Sequence, residues 1–436
     1  MKLSSVWPFG VCLLIAGVGS VAAGALDAPQ KLHHAKTTEP HLSAAHHAAN
    51  HRAAAHSAAP AAKTASAHAA TSTKLSAKGT AKTGVRRVAV TTRRHHYYER
   101  FTASSFAKGD IFADDVTAGE DPIVRQAAID ALGGMNGTAV VINPANGRIL
   151  AMVNQKLALS PGAEPCSTIK LTVALAALSE GIVTRDTPVQ LEGFRMNMTQ
   201  ALAKSNNLYF EELGRELGFE RVRHYATQFG LGELAGYHLD GEQLGQYPDE
   251  EIPASEGGVG RMCSFGQGVS LTPLQLGAFV AAIANGGTLY YLQHPSSPEE
   301  AAALVAKVKR TLDIAQYVPD LQDGMAGAVE YGTARSLRAN FHELPVFGKT
   351  GTCSDKGTRF GWFASYSDTP LGSLVTVFFL EGGRPTFGPR AAELTGEFYK
   401  NLWDRNYFGS KDQQVAQSPS GYTISPQPAA GHSGAQ

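Results

Sequence analysis

The stretch GTAVVINPANGRILAMV, residues 137–153, predicts how the sheet of this protein begins. It contains two runs of apolar and β-branched residues, Gly137 to Ile142 and Arg148 to Val153. Between the runs lie Asn, Pro and Gly, which favour a tight reversal of the chain. Two such runs joined by a short polar connection are typical of an antiparallel hairpin.

The patterning around this hairpin predicts helices first and further strands later. Asp121-Pro122 is a typical helix start, and the apolar Leu171 to Leu178 ends at Gly181, as a buried helix would. The predicted helices are Ile123 to Leu132, Leu171 to Leu178, the interrupted stretch 197–310 and Ala391 to Trp403; the predicted strands are Val346 to Cys353, Thr358 to Ser367 and Leu371 to Leu380. We therefore predict an α+β fold, with an antiparallel five-stranded sheet, flanking helices and an all-helical subdomain.

The two ends of the chain differ in composition from this folded part, which we place at residues 106–408. Residues 1–25 contain Met1-Lys2, an apolar segment and Ala23-Gly24-Ala25, the order found in a secretory signal. We expect an exported protein of the periplasm or cell envelope, with this segment either cleaved or kept as an inner-membrane anchor. Residues 409–436 are predicted to be a disordered tail.

Residues 26–105 are predicted to be a disordered, basic tether, because they contain hardly any large apolar side chains. Ten of the 15 histidines lie here, for instance His33-His34 and His95-His96. Loose metal binding is one interpretation of this tract. We favour a solvated spacer instead, since nothing in the sequence orders the ligands.

Charge and cysteine content exclude several classes of protein. The 436 residues carry 38 Lys or Arg and 38 Asp or Glu, of which residues 31–100 hold 12 basic and 2 acidic ones. The bulk charge therefore does not indicate a nucleic-acid partner. Only the N-terminus has a long apolar run, so a polytopic membrane protein is excluded. Four cysteines are too few for a disulfide-built scaffold, and no metal or cofactor site is predicted.

Ser167 and Lys170 are the first pair of residues that indicate chemistry. They stand three apart at the start of a predicted helix, so that both side chains lie on one face. A serine hydroxyl is a weak nucleophile and needs a base, which a lysine can provide if burial or a nearby cation lowers its pKa. The backbone N–H of Ser167 would also face an oxyanion near the helix start.

Two further motifs give this pair its context. Ser205-Asn206-Asn207 lies in the helical stretch, and Lys349-Thr350-Gly351-Thr352 lies on a predicted strand. Isolated matches carry little weight, because Ser105 to Lys108 repeats the first motif and Lys82-Thr83-Gly84 repeats the third. Ser105 is not followed by a helix and Lys82 lies in the tether, so we interpret both as chance matches.

The ordered trio resembles the active-site set of the penicillin-binding transpeptidases and serine β-lactamases. Gly266-Gln267-Gly268, Gly332-Thr333-Ala334 and Gly361-Trp362-Phe363 resemble that family as well. The resemblance covers roughly residues 110–405. It implies a fold of the β-lactamase and transpeptidase type and a reaction with D-Ala-D-Ala stem peptides of peptidoglycan, or with the β-lactams that mimic them.

The resemblance also implies a role for each matching residue. Ser167 would form the acyl-enzyme, Lys170 would take its proton, and Ser205 would relay a proton to the leaving amine. Asn207 would bond Lys170 and the substrate amide, and Lys349 would supply positive charge. Thr350 and Thr352, on either side of Gly351, would bind the substrate carboxylate. The backbone N–H groups of Ser167 and Thr352 would form the oxyanion hole.

Cys166 and Cys353 flank two of these motifs, at positions where the family usually has small residues. The implied fold sets the serine helix against the lysine strand, so a Cys166–Cys353 disulfide is a hypothesis. Cys263 is the competing partner, and three separate buried thiols are the alternative.

Several functions within and beyond this family stay open from the sequence. The main reading is a monofunctional peptidoglycan D,D-transpeptidase with a glycan-polymerising partner and membrane contact only through the N-terminus. A serine β-lactamase and a D,D-carboxypeptidase are the catalytic alternatives. A non-catalytic peptidoglycan-binding domain is the alternative from another class.

Overall fold

Five antiparallel strands form the central sheet in the computed structural model, which describes residues 102–409. The strands are β1 (Gly137–Asn143), β2 (Arg148–Val153), β7 (Phe347–Asp355), β8 (Thr358–Thr369) and β9 (Gly372–Gly382), in the order β2-β1-β9-β8-β7. The first hairpin therefore pairs with the last strand, through Ala139 opposite Phe378. This order leaves β7 at one edge of the sheet.

Helices surround the sheet and form a second, mainly helical part. They are α1 (Pro122–Leu132), α2 (Gln155–Ala158), α3 (Lys170–Ser179), α4 (Met198–Lys204), α5 (Asn207–Leu217), α6 (Phe219–Gln228), α7 (Gly258–Phe265), α8 (Pro273–Ala284), α9 (Pro298–Ala302), α10 (Val318–Glu330) and α11 (Gly388–Asp404). Short 3₁₀ helices occur at Ala103–Ser105, Cys166–Ile169, Ala254–Glu256, Ala315–Tyr317 and Arg335–Ala339.

Both faces of the sheet are buried, each in its own apolar cluster. Alternate residues of a strand point to opposite faces, so Val140 and Ile142 join one cluster while Ala139 and Val141 join the other. The first cluster contains α3 and α8, and the second contains α1 and α11. The site residues described below lie where α3 and its neighbours meet the β7 edge.

The predicted α+β fold is confirmed, with the five-stranded antiparallel sheet and flanking helices. The second part is not all-helical as predicted, because it contains two short antiparallel ladders: β3 (Val189–Leu191) with β4 (Phe194–Met196), and β5 (Thr288–Tyr290) with β6 (Val308–Thr311). Among the residues that the structure describes, no helix is both long and apolar enough to cross a membrane.

The boundary of the tether at residue 105 needs a correction. Thr102 donates its backbone N–H to the carbonyl of Arg384 at 2.7 Å, and Ser105 is fully buried with its hydroxyl 2.8 Å from the same carbonyl. Residues 102–105 therefore belong to the folded part, because they pack against the segment that follows β9. The predicted leader, the tether as far as residue 101 and the tail beyond residue 409 lie outside the described part of the chain.

Candidate active site

Ser167 stands in a 3₁₀ turn that leads directly into α3. A 3₁₀ helix has three residues per turn, which brings residues i and i+3 into line. The hydroxyl of Ser167 accordingly lies 2.7 Å from the Nζ of Lys170. Ser167 is partly exposed whereas Lys170 is fully buried, so the serine is open to solvent and the amine lies behind it.

Lys170 is held by four acceptors from three separate segments. Besides Ser167, its Nζ donates to the Asn207 side-chain oxygen at 2.8 Å and to the Ser264 carbonyl at 2.7 Å, and the Ser205 hydroxyl lies at 3.5 Å. Burial, with the positive charge of Lys349, holds the pKa of Lys170 well below its ordinary value, although Glu211 acts in the opposite direction. Lys170 is therefore placed to act as a base.

Ser205 and Asn207 reach the lysine because of the connection between α4 and α5. Ser205 ends α4 in the left-handed region, with φ 53° and ψ 44°. Asn206 then caps α5 by accepting the N–H of Tyr209 at 2.9 Å. The sharp reversal turns the Ser205 hydroxyl and the Asn207 amide toward Lys170.

Lys349 approaches the same serine from the sheet edge. Its Nζ donates to the Ser205 hydroxyl at 2.8 Å and to the Thr350 carbonyl at 2.9 Å. The side chain is fully buried, and burial lowers the pKa of Lys349 to about 7. Ser205 therefore lies between two buried amines, an arrangement suited to passing a proton.

The residues after Lys349 connect the site to neighbouring segments. The Thr350 hydroxyl lies 2.6 Å from that of Thr333, and the exposed Thr352 accepts the N–H of Gly388 at 2.8 Å. Gly351 leaves room for the serine turn, since a Cβ there would lie 2.8 Å from the carbonyl oxygen of Pro165. Strand β7 and the turn of Ser167 are thus in direct contact.

A disulfide joins Cys166 to Cys353 across this contact, with 5.6 Å between their Cα atoms. Cys166 adopts φ 52°, in the left-handed region. The indole N–H of Trp362 adds a second link, donating to the Glu164 carbonyl at 3.0 Å. The competing partner, Cys263, is a free and buried thiol.

The structure thus brings together all eight residues that the sequence proposed for the site. It also adds groups that were not proposed. They are the Ser264 carbonyl on Lys170, the Thr333 hydroxyl on Thr350, the Gly388 N–H on Thr352 and the carboxylate of Glu211 near Lys170. Only Thr333 had a signal, through the Gly332-Thr333-Ala334 resemblance; a backbone carbonyl has none. Of the two chance matches, Ser105 lies in the buried contact with Arg384, and Lys82 lies outside the described residues.

Residues 137–383 match the family described as penicillin binding protein transpeptidase domain. The chain belongs to this family. Among curated relatives of this transpeptidase domain, stage V sporulation protein D of Bacillus subtilis is 32% identical over 60% of the chain and 48% of the relative. Peptidoglycan D,D-transpeptidase MrdA of Acinetobacter baumannii is 25% identical over 67% of the chain and 51% of the relative.

Solved structures support the fold of the transpeptidase domain. One, titled as a peptidoglycan glycosyltransferase from Burkholderia ambifaria, aligns with a TM-score of 0.55 at 20% identity, over 67% of this chain and 99% of that one. Another, described in work on a peptidoglycan synthase complex, aligns with a TM-score of 0.52 at 23% identity, over 66% of this chain and 61% of that one. The chain spans about half the length of the curated relatives named above.

Proposed function

We propose that this protein is a peptidoglycan D,D-transpeptidase that acts through an acyl-enzyme on Ser167. The observation that carries the proposal is the 2.7 Å contact between the Ser167 hydroxyl and the buried amine of Lys170. A penicillin-binding protein of this type would react with β-lactams by the same step. The relative MrdA, named as a peptidoglycan D,D-transpeptidase, supports the substrate class.

Acylation would begin with the neutral amine of Lys170 taking the Ser167 proton. The serine oxygen then attacks the carbonyl of the penultimate D-Ala, and a C–O bond forms. Collapse of the tetrahedral intermediate breaks the C–N bond to the terminal D-Ala. That leaving amine needs a proton, which Ser205 can pass on from Lys170, because its hydroxyl lies within 3.5 Å of the Lys170 amine and 2.8 Å of the Lys349 amine.

The charges that develop in this step have matching groups nearby. The oxyanion would accept hydrogen bonds from the backbone N–H groups of Ser167 and Thr352. The substrate carboxylate would lie by Thr350 and Thr352, and its negative charge would favour the protonated form of Lys349 behind them. Asn207, which accepts from Lys170, would also bind the peptide amide of the substrate.

The second half of the reaction decides between the catalytic alternatives. Attack by an amine of a second stem peptide restores Ser167 and leaves a cross-link, whereas attack by water makes a carboxypeptidase or a β-lactamase. The relative MrdA, named as a D,D-transpeptidase, favours the amine. The proposal thus extends to a monofunctional cross-linking enzyme with a glycan-polymerising partner, in keeping with the synthase complex among the structural neighbours.

We extend the same proposal to the cell envelope, which suits relatives that build the cell wall. Residues 1–25 would direct export to the periplasm or anchor the protein in the inner membrane. Residues 26–101 would then be a tether between that segment and the catalytic domain at residues 102–409. Residues 410–436 would be a tail without a catalytic role.

The test is intact mass against time after benzylpenicillin is added to the folded full chain. We expect a stable adduct of one penicillin that is absent in Ser167→Ala and present in Ser105→Ala, the matched control from the chance motif. An adduct that vanishes within seconds would indicate a β-lactamase. No adduct on folded protein would leave a non-catalytic peptidoglycan-binding domain.

A donor peptide ending in D-Ala-D-Ala then separates the remaining two activities. With an added D-amino acid as acceptor, a transpeptidase forms the exchanged peptide, whereas a carboxypeptidase forms the shortened peptide alone. Exclusive hydrolysis at high acceptor concentration would contradict the transpeptidase proposal.

A further inference from the structure

The disulfide between Cys166 and Cys353 joins two positions that each adjoin a proposed oxyanion donor. Cys166 immediately precedes Ser167, and Cys353 immediately follows Thr352. The link therefore spans the 3₁₀ turn of the nucleophile and the edge strand β7. We infer that this disulfide is a positioning element of the oxyanion hole, which fixes the Ser167 and Thr352 amides relative to each other. The inference rests on the proposed acyl-enzyme function.

The backbone at Cys166 explains why a covalent link matters there. Its φ of 52° is uncommon for a residue with a side chain, and such a conformation persists only where the surrounding structure holds it. The ψ angle of Cys166 orients the peptide unit that carries the Ser167 N–H. A relaxation at Cys166 would consequently rotate a proposed oxyanion donor.

The position of β7 at the sheet edge makes the second donor sensitive too. One side of β7 pairs with β8, as in Thr352 opposite Gly361. On its other side, the serine turn touches it through the packing of Gly351 on Pro165 and through the disulfide. The Trp362 bond to Glu164 ties that turn to β8 rather than to β7. Without the disulfide, the contact between the turn and β7 at Cys353 would be non-covalent.

The expected effect falls on the chemical step and not on ground-state binding. Loss of one oxyanion donor typically slows an enzyme by about 10²- to 10³-fold. A displaced donor keeps part of its effect, so we expect the acylation rate constant to fall about 10- to 100-fold. The non-covalent dissociation constant for the β-lactam should change less than about 3-fold, because the carboxylate contacts remain.

The experiment measures acylation of the full chain by a chromogenic cephalosporin in stopped flow, at 10 °C. The oxidised protein is compared with protein reduced by a phosphine, and with the Cys353→Ala variant. Circular dichroism at the same temperature verifies that each sample is folded. Cys263→Ala is the matched control, because it removes the buried thiol outside the disulfide and should keep the wild-type rate.

A second variant keeps the test valid if reduction unfolds the protein. Cys166→Gly combined with Cys353→Ala removes the disulfide while glycine tolerates the left-handed backbone. A boronic acid that forms a tetrahedral adduct with the serine gives an independent readout. Its affinity should fall by the same factor as the acylation rate constant, since both depend on the oxyanion donors.

The outcomes distinguish the inference from the function on which it rests. A slower chemical step with parallel loss of boronate affinity, restored on reoxidation, supports the positioning role. Folded protein without the disulfide that acylates at the wild-type rate overturns it, and a lower melting temperature would then be its only effect. Oxidised wild type that is never acylated at Ser167 overturns the proposed function, and the positioning role with it.

Discussion

Replacing Lys349 by Met should stabilise the fold at neutral pH while it abolishes acylation. Lys349 is fully buried, and its pKa falls from 10.5 to about 7 because burial disfavours the charged form. Between those two pH values, the unfolded lysine is protonated while the folded one is largely neutral. The unfolded state therefore binds more protons in this window, so the stability of the wild type rises with pH from about 7 to 10.5.

The size of the effect follows from the same displacement of the pKa. At about 1.4 kcal/mol for each pKa unit, the wild type should gain at most about 4 kcal/mol between pH 7 and pH 10.5. Met lacks this dependence. Loss of the bonds to Ser205 and to the Thr350 carbonyl costs about 1–3 kcal/mol at every pH. The variant should thus gain about 1–3 kcal/mol at pH 7 and lose that advantage by pH 10.

Urea unfolding followed by tryptophan fluorescence measures this difference at pH 7, 8, 9 and 10. The matched control is Lys356→Met, in the hairpin after β7, where the side chain is 90% exposed. That control should differ from wild type equally at each pH. If the difference in unfolding free energy between Lys349→Met and wild type were also independent of pH, the buried lysine would not make the stability of the wild type depend on pH. The reasoning would then be wrong.

Three further outcomes follow from contacts in the site. The rate of Ser167 acylation should rise with pH, and the midpoint of that rise should lie well below the ordinary pKa of lysine, because burial lowers the pKa of Lys170. Stopped-flow acylation rates measured against pH test this. Asn207→Asp places a carboxylate where the amide oxygen lies 2.8 Å from the Lys170 amine, and this negative charge should raise the pKa of Lys170. The pH profile of acylation should then move to higher pH, and acylation at pH 7 should be about 10-fold slower. An unchanged pH profile would contradict the role of Lys170 as the base. Gly351→Ala forces a Cβ to 2.8 Å from the Pro165 carbonyl oxygen. The free energy of unfolding, measured by thermal unfolding, should therefore fall by about 1–3 kcal/mol. An unchanged melting temperature would refute the close contact.

Local patterns in the sequence predict most of the helices and the long strands well, but they do not predict the 13-residue helix α10. The predicted start at Asp121-Pro122 corresponds to a real cap, in which the Asp121 carboxylate accepts the N–H groups of Ile123 and Val124. The long strands β8 and β9 differ from the prediction by at most two residues at either end. These elements bury residues with regular spacing, and that spacing is visible in a single sequence.

The missed elements and contacts depend on partners that are distant in the chain. Strands β5 and β6 have only three and four residues, and Leu289 pairs with Arg310 across an intervening helix. So short a strand leaves no periodic signal. The Ser264 carbonyl contacts Lys170 because of where α7 ends, and any residue type would supply the same carbonyl. Sequence motifs identify side chains with a role, whereas backbone groups become visible only in the folded chain.

The pairing of β1 with β9 has a consequence for how the protein is made. Ala139 pairs with Phe378, so β1 can pair with β9 only after nearly the whole domain has been synthesised. Such distant pairing is slow and comes late in folding. The strand that carries Lys349 is also made long after Ser167. A growing chain therefore contains the serine well before it contains a working site, and a C-terminally truncated product would be unable to trap β-lactams.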